Sequence, residues 1–257
     1  MMSSLKRNLF LSVFGAAMSA TVALAADLPA PPVIEYEPET PVEIGSSWYL
    51  RGDLGFAVYQ GGHASWTDPT NTNLIGFHHE NIANGWVAGI GAGYYFNKHF
   101  RADVILDYRH KVKYDSTSTC TPVSPPAGCT PGDSYEKLNF SAWTLMANGY
   151  VDLGTYYSIN PYVGGGVGVA WLKASNHKTV GTGSPFKNKT RTNFAWNLTT
   201  GATFDLAENV KLDANYRFVS LGKARTGGRR DNSSTEPVRF ENLYAHDFRV
   251  GLRYDLN

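Results

Sequence analysis

Cysteine is almost absent, two residues in 257, which is too few to staple a fold together. An excess of one charge is missing as well. Lys plus Arg number 23 and Asp plus Glu 22, a formal net charge of +1, so no broad field draws in nucleic acid. After residue 25 the sequence has no long apolar run, and no helix suited to crossing a bilayer is expected. Nor is there a Walker loop, a dinucleotide fingerprint or an H-E-x-x-H motif. Ser220, His246 and Asp247 are the residue types of a hydrolytic site, but no motif surrounds them. The expectation is a chain without enzymatic activity or cofactor.

What is plentiful is aromatic and turn-forming. The chain carries 26 Gly, 6 Trp, 15 Tyr and 13 Phe, with Thr, Asn and Val in place of strong helix formers. That is the composition of many short strands. At the N-terminus Lys6 and Arg7 precede an apolar stretch from Leu9 to Ala25 that ends Ala23-Leu24-Ala25, the pattern of a secretory signal over residues 1–25. Residues 26–46 interleave Pro29, Pro31, Pro32, Pro38 and Pro41 with Glu35, Glu37, Glu39 and Glu43. Pro fixes φ and removes donors, so this stretch reads as an extended periplasmic tether. Residues 47–257 form the folded part.

There the alternation test for strands finds eight segments: Ser47–Tyr59, Asn84–Phe96, Phe100–Lys111, Leu138–Val151, Pro161–Lys173, Asn193–Leu206, Val210–Ser220 and Leu243–Leu256. The fourth is ambiguous, because Leu138 and Phe140 share one parity while Trp143, Leu145, Ala147 and Val151 share the other; a bulge or a boundary shift near Ser141 is expected. Connections alternate between long (60–83, 112–137, 174–192, 221–242) and short (97–99, 152–160, 207–209). An even strand count with that asymmetry predicts an all-β, eight-stranded antiparallel up-and-down transmembrane β-barrel of a Gram-negative outer membrane.

The two faces decide which solvent lies outside. One face of the segments holds full charges: Arg51, Asp53, Arg101, Asp103, Asp107, Arg109, Lys111, Asp205, Lys211, Asp213, Arg217, Asp247, Arg249, Arg253 and Asp255. Eight strands enclose room for side chains only, and near-balanced Arg and Asp can fill it as ion pairs. The other face carries Trp48, Tyr94, Phe96, Phe100, Tyr108, Trp171, Phe194, Trp196, Phe218, Phe248 and Tyr254, as lipid and its interfaces require. Inward Gly89, Gly91, Gly93, Gly164, Gly166 and Gly168 are expected to admit the long arginines of other strands.

The junction Ala25-Ala26-Asp27-Leu28-Pro29, the segment Asn148–Gly154, the run Pro161–Gly168 and the ending Arg249–Tyr254 resemble the small outer-membrane proteins of rhizobia, brucellae and bartonellae, relatives of the OmpA transmembrane domain and the opacity adhesins. The resemblance implies an eight-stranded porin-family barrel whose members include surface antigens, adhesins and hemin binders. It also implies recognition of the last strand by the barrel assembly machinery through a terminal aromatic. This chain instead ends Leu256-Asn257, so either Tyr254 and Leu256 serve that role slightly early or insertion is less efficient.

Candidate contacts follow. Cys120 and Cys129 flank a Pro-rich stretch, and behind an export signal an even Cys count points to a disulfide. The histidines are scattered without metal-ligand spacing; a hemin ligand would need His78 or His79. Lys178, Lys187, Lys189 and Arg191 of the third long connection, with Arg229 and Arg230 of the fourth, are candidates for gripping lipopolysaccharide phosphates or sulfated host-surface glycans. The reading is a structural surface-displaying barrel that supports envelope integrity and adhesion, or alternatively a narrow channel or a hemin-binding protein.

Overall fold

Side chains alternate across a pleated strand, so a single chain can face two environments at once. The computed structural model describes residues 47–66, 73–122, 132–180, 185–230 and 236–256, all in strands or connections with no helix among them. The strands are β1 (Trp48–Gly61), β2 (Ala64–Ser65), β3 (Asn73–Ile82), β4 (Gly85–Tyr95), β5 (Phe100–Pro122), β6 (Gly132–Asp152), β7 (Ile159–Thr179), β8 (Lys189–Ala207), β9 (Val210–Arg225) and β10 (Arg239–Leu256). Every pairing is antiparallel. The order β1-β4-β5-β6-β7-β8-β9-β10 returns on itself because β1 also pairs β10, from Trp48↔Leu256 to Gly61↔Leu243. Eight long strands therefore make a closed ring, which leaves no sheet edge among them for another chain to pair with.

The two smallest elements complete the wall. β3 pairs the upper half of β5 and β4 its lower half, so β3 and β4 act as one strand interrupted at Ala83 and Asn84. β2 adds two residues against Arg239 and Phe240 of β10. At the other end the turns are tight. Between β4 and β5 the Asn97 side-chain oxygen accepts the backbone N–H of His99 (2.8 Å) and of Phe100 (2.9 Å), an Asx turn that the Asn supplies itself.

The strands run well past the expected segments. β5, β6 and β7 have 23, 21 and 21 residues, about twice what a tilted strand needs to cross a bilayer. Stretches such as Ser116-Thr117-Ser118-Thr119 read as connection because apolar alternation stops there; Thr favours a pleated, half-exposed surface all the same.

The fourth segment has no bulge near Ser141. β6 keeps even-numbered residues inward throughout, from Glu136 to Asp152. What changes is the chemistry of each face. In its lower part β6 points Trp143, Leu145 and Val151 outward and Thr144, Asn148 and Tyr150 inward; in its upper part it points Lys137 outward and Leu138 and Phe140 inward. The bulges lie on the neighbours, at His110–Lys111 of β5 and at Asn176–His177 of β7, where Asn176 takes φ 55°. Lys111, expected on the inner face, is turned outward by the first of these.

The barrel interior accordingly has two storeys. The membrane-level storey is polar. Above it lies an apolar core of Ala57, Tyr59, Val112, Tyr114, Leu138, Phe140, Leu172, Leu221, Val238, Phe240 and Leu243, all buried; Tyr114, Phe140 and Phe240 meet edge to face at 5.1–5.8 Å. Outside, exposed aromatics form an upper girdle (Phe56, Trp86, Trp143, Trp171, Phe194, Trp196, Phe248) and a lower one (Trp48, Phe96, Phe100, Tyr254), as bilayer interfaces favour.

The inward glycines make room for neighbours. A Cβ on Gly89 would run into Asp107 and Arg249, and on Gly93 into the Tyr49 ring, whereas one on outward Gly149 would meet nothing within 4 Å. Gly89→Val is expected to lower stability by about 1–3 kcal/mol and Gly149→Val to leave it within about 0.5 kcal/mol, read as urea midpoints of the heat-modifiable gel shift. Equal midpoints for the two variants would refute this packing.

Candidate functional site

Asp107 of β5 sits near the middle of the barrel interior. Arg249 Nη2 donates to it at 2.6 Å from β10 and Arg217 Nη1 at 3.3 Å from β9. β9 lies four places from β5 around the ring, so the second contact spans the full diameter. Arg109 reaches across to Asp247 with two bonds of 2.8 and 2.7 Å, the forked geometry that only a guanidinium offers a carboxylate. Lower down, Arg51 bonds Asp53 through Nε and Nη2 (2.9 and 2.7 Å) and Asp103 through Nη1 (2.9 Å). Asp103 also accepts from Tyr49, Tyr150 and Asn148.

The lowest layer mixes charge with rings. Arg253 Nη2 donates to Asp213 at 2.5 Å, and Tyr162 donates to the same carboxylate at 2.7 Å. Arg101 bonds Asp152 at 3.1 Å, its guanidinium lying over the rings of Tyr150 and Tyr162 at 4.1 and 4.3 Å. Six arginines and six aspartates are buried in the interior, and each has an oppositely charged partner within 4.0 Å. Some guanidinium N–H groups, such as Nη2 of Arg217, are buried without a protein acceptor.

Of the charged residues expected on the inner face, Arg51, Asp53, Arg101, Asp103, Asp107, Arg109, Asp213, Arg217, Asp247, Arg249 and Arg253 lie in this lattice. Lys211 and Asp255 do not. They form a part-exposed rim pair 3.6 Å apart at the short-turn end, with Asp205 at 2.7 Å from Lys211, and the Tyr95 hydroxyl links Asp255 to Arg253. Asp152 and the tyrosines were missed by sequence reasoning. Asp152 falls one residue beyond the fourth segment, in the stretch read as a short connection, and a Tyr in an alternating run signals a girdle as readily as an interior.

At the long-loop end, His177 and Glu136 are buried 3.0 Å apart, and Ser118 and Thr179 donate to the same carboxylate. His177 stacks on Phe186 with ring centroids 4.4 Å apart, and the Arg229 guanidinium lies over the Phe186 ring at 5.0 Å. The backbone bond from Phe186 N–H to His177 O (2.9 Å) folds the third long connection on itself, and those from Lys187 N–H to Gly228 O (2.9 Å) and Gly227 N–H to Lys187 O (2.8 Å) stitch it to the fourth. Lys178, Lys187, Lys189 and Arg230 stand exposed around this seam, with Arg191 and Arg229 half-buried. Beside it, burial and a hydrogen bond to Glu80 (2.8 Å) hold the Tyr114 hydroxyl protonated well above the usual tyrosine range.

Other candidates do not come together. His78 and His79 are exposed on β3, and no group of His, Cys, Asp or Glu able to hold a metal occurs among the described residues. Ser220, His246 and Asp247 do not converge: Asp247 points inward to Arg109, while His246, its neighbour on the strand, bonds Tyr216 (2.7 Å) and Gln60 (3.0 Å). Cys120 stands on β5 opposite Gly132; Cys129 lies outside the described residues.

The family model described as the outer membrane protein beta-barrel domain matches residues 13–255. The chain belongs to that family. A Brucella suis protein of uncharacterized function is 29% identical, the alignment covering 98% of this chain and 99% of that one. A Rickettsia bellii protein named "Putative adhesin" is 29% identical over 82% of this chain and 88% of its own. Among solved structures, the outer membrane protein OprG of Pseudomonas aeruginosa superposes with a TM-score of 0.50 at 13% identity, covering 82% of this chain and 97% of that one, a likeness of fold. This outer-membrane barrel of the alphaproteobacterial type therefore resides in the outer membrane of a Gram-negative cell.

Removing one partner of a buried pair leaves the other uncompensated. Asp107→Ala is expected to cost about 3–5 kcal/mol, whereas Asp205→Ala at the exposed rim should cost less than about 1 kcal/mol. Urea titration of the refolded barrel compares them; an Asp107→Ala loss no larger than that of Asp205→Ala would remove the lattice as the source of interior stability.

Proposed function

We propose that this barrel is a closed-lumen surface anchor: it holds its long connections outside the cell, contributes to envelope integrity and takes part in adhesion. The observation that carries the reading is the apolar storey above the ion lattice. The space left among Tyr59, Val112, Phe140, Leu172, Leu221 and Leu243 is about 10 Å³, at the lower limit for one water molecule. An ion crossing there would shed its hydration with nothing in exchange. The channel alternative has no comparable support. The seam between the third and fourth long connections favours display, since a rigid platform binds with less ordering cost than free loops. The name carried by the Rickettsia relative is in keeping with adhesion.

Residues 1–25 serve as the export signal and 26–46 as the tether. A Cys120–Cys129 disulfide would close the tallest hairpin, whose strands pair as far as Cys120 and Gly132.

Planar-bilayer recording of the pure refolded protein should show no reproducible openings, and regular unitary steps would overturn the closed-lumen reading. Cells displaying the barrel should adhere to sulfated-glycan surfaces less as salt rises, and Lys187→Gln/Lys189→Gln/Arg230→Gln should weaken that adhesion severalfold; no change would take the seam out of the contact. Cys120→Ser/Cys129→Ser should lower stability by about 2–3 kcal/mol, and alkylation of both thiols in the native protein without reductant would exclude the bond.

A further inference from the structure

The outer wall of β5–β7 carries lysines that neither the lumen nor the loop seam uses. Lys111 and Lys113 on β5, Lys137 on β6 and Lys173 on β7 are all exposed, and Lys178 of the seam stands above them. Among the described residues none of them takes part in an ion pair. Strand register arranges them in rows. Ser141 pairs Lys173 and faces the His110–Lys111 bulge, Asn139 pairs Lys113, and Lys137 pairs both Asp115 and Lys178. Lys111 and Lys173 are two strands apart, roughly 10 Å at ordinary strand spacing. The acid within these rows is Asp115; Asp133 lies higher and accepts from Thr119 at 2.6 Å.

Directly beneath the lysines runs the upper girdle. Trp86 and Tyr108 have ring centroids 5.7 Å apart, Tyr108 and Trp143 4.8 Å, and Trp143 pairs Trp171 across the strands. A groove of about 700 Å³ begins on this wall at Tyr108 and Trp143 and runs across the strands past Leu106, Ala88 and Ile90 to Gly52 and Leu54 of β1, and on to Leu252 of β10 and Leu212 of β9. Gly52 has no atom within 4 Å of where a Cβ would stand, so the groove floor is open to lipid.

Lysines just outside an aromatic girdle sit at the depth of lipid headgroups, and an apolar groove below them lies where acyl chains run. We propose that this wall seats one phosphorylated, multiply acylated glycolipid of the outer leaflet, the lipid A part of lipopolysaccharide. Its phosphates rest on Lys111, Lys113 and Lys173, and an acyl chain lies in the near part of the groove, between Tyr108 and Gly52. The two phosphates of such a headgroup match a cluster spread over three strands, which a single-charge phospholipid cannot span. The inference rests on the surface-anchor reading only for the long-loop end facing outward.

The test uses the full mature barrel in detergent, titrated with bis-phosphorylated lipid A, monophosphoryl lipid A and phosphatidylglycerol, with bound lipid read by native mass spectrometry. Lys111→Gln/Lys113→Gln/Lys173→Gln, checked for folding by heat-modifiable mobility, should lower the affinity for bis-phosphorylated lipid A by roughly a hundredfold. Loss of one phosphate from the lipid should weaken binding to the wild type severalfold, and Gly52→Leu, which fills the groove, should do the same with the lysines intact. Lys187→Gln/Lys189→Gln at the loop seam should leave the affinity unchanged. Equal binding by the triple variant and the wild type, or phosphatidylglycerol bound as tightly as lipid A, would overturn the site. Labelling of Arg230→Cys, exposed at the loop seam away from the lysine wall, on whole cells by a membrane-impermeant maleimide separates the two readings. Label without lipid A binding sinks the site alone, and a protected Cys sinks the orientation together with it.

Discussion

Everything in this barrel depends on pairing charge inside a ring whose outside is lipid. A soluble barrel hides its apolar face and shows the polar one to water. Here Leu54, Ile90, Leu198 and Val250 are among the most exposed residues while Arg109, Arg217, Arg249 and Asp247 are fully buried. Such burial is tolerable only if each charge meets its counter-charge, because desolvating a lone guanidinium costs several kcal/mol. Asp107 shows how the condition is met: its carboxylate takes Arg249 and Arg217 from two other strands. Contacts of that length across the diameter also fix the ring's size, since a strand more or less would pull them apart.

The rule reverses above the membrane, although the strands do not. Along β5, inward Arg101, Asp103, Asp107 and Arg109 give way beyond the bulge to inward Val112 and Tyr114; along β9, inward Asp213, Asn215 and Arg217 give way to Val219 and Leu221. The outward face changes at the same height, from Leu145 and Trp143 to Lys137 on β6. A single closed wall is thus a membrane barrel below and a water-soluble barrel above, and the swap in chemistry marks the bilayer surface more sharply than any change in backbone does.

That swap separates what the sequence makes legible from what it hides. The eight membrane segments, their inner and outer faces, the short turns at Asn97 and Ala207–Asn209 and most of the inner charges follow from period-2 patterning, because lipid outside and ion pairs inside give each strand strong contrast. Leu138 and Phe140 mislead for a physical reason. Their parity matches Thr144 and Asn148, but an apolar inward residue next to apolar outward ones looks like a slip in phase when it is a change of solvent. The upper strand extensions escape notice because Ser and Thr alternate with little contrast. Partners such as Arg217 with Asp107 are legible as types and not as pairs, since what meets across the lumen depends on the stagger of the strands around the closed ring, which period-2 patterning does not carry.

The bulges link the two storeys to the surface. At His110–Lys111 two residues face one on β6, which turns Lys111 outward and restores Val112 to the interior, so one irregularity ends the charge lattice and begins both the apolar core and the lysine wall. At Asn176–His177 the extra residue turns His177 inward onto Glu136 and Phe186, drawing the third long connection over the barrel mouth toward Arg229. Bulges re-aim side chains at barrel rims. Without the first, the lysines of β5 would be carried into the apolar storey; without the second, the seam would lose its buried anchor. The features at the cell surface are therefore set by two positions in the wall.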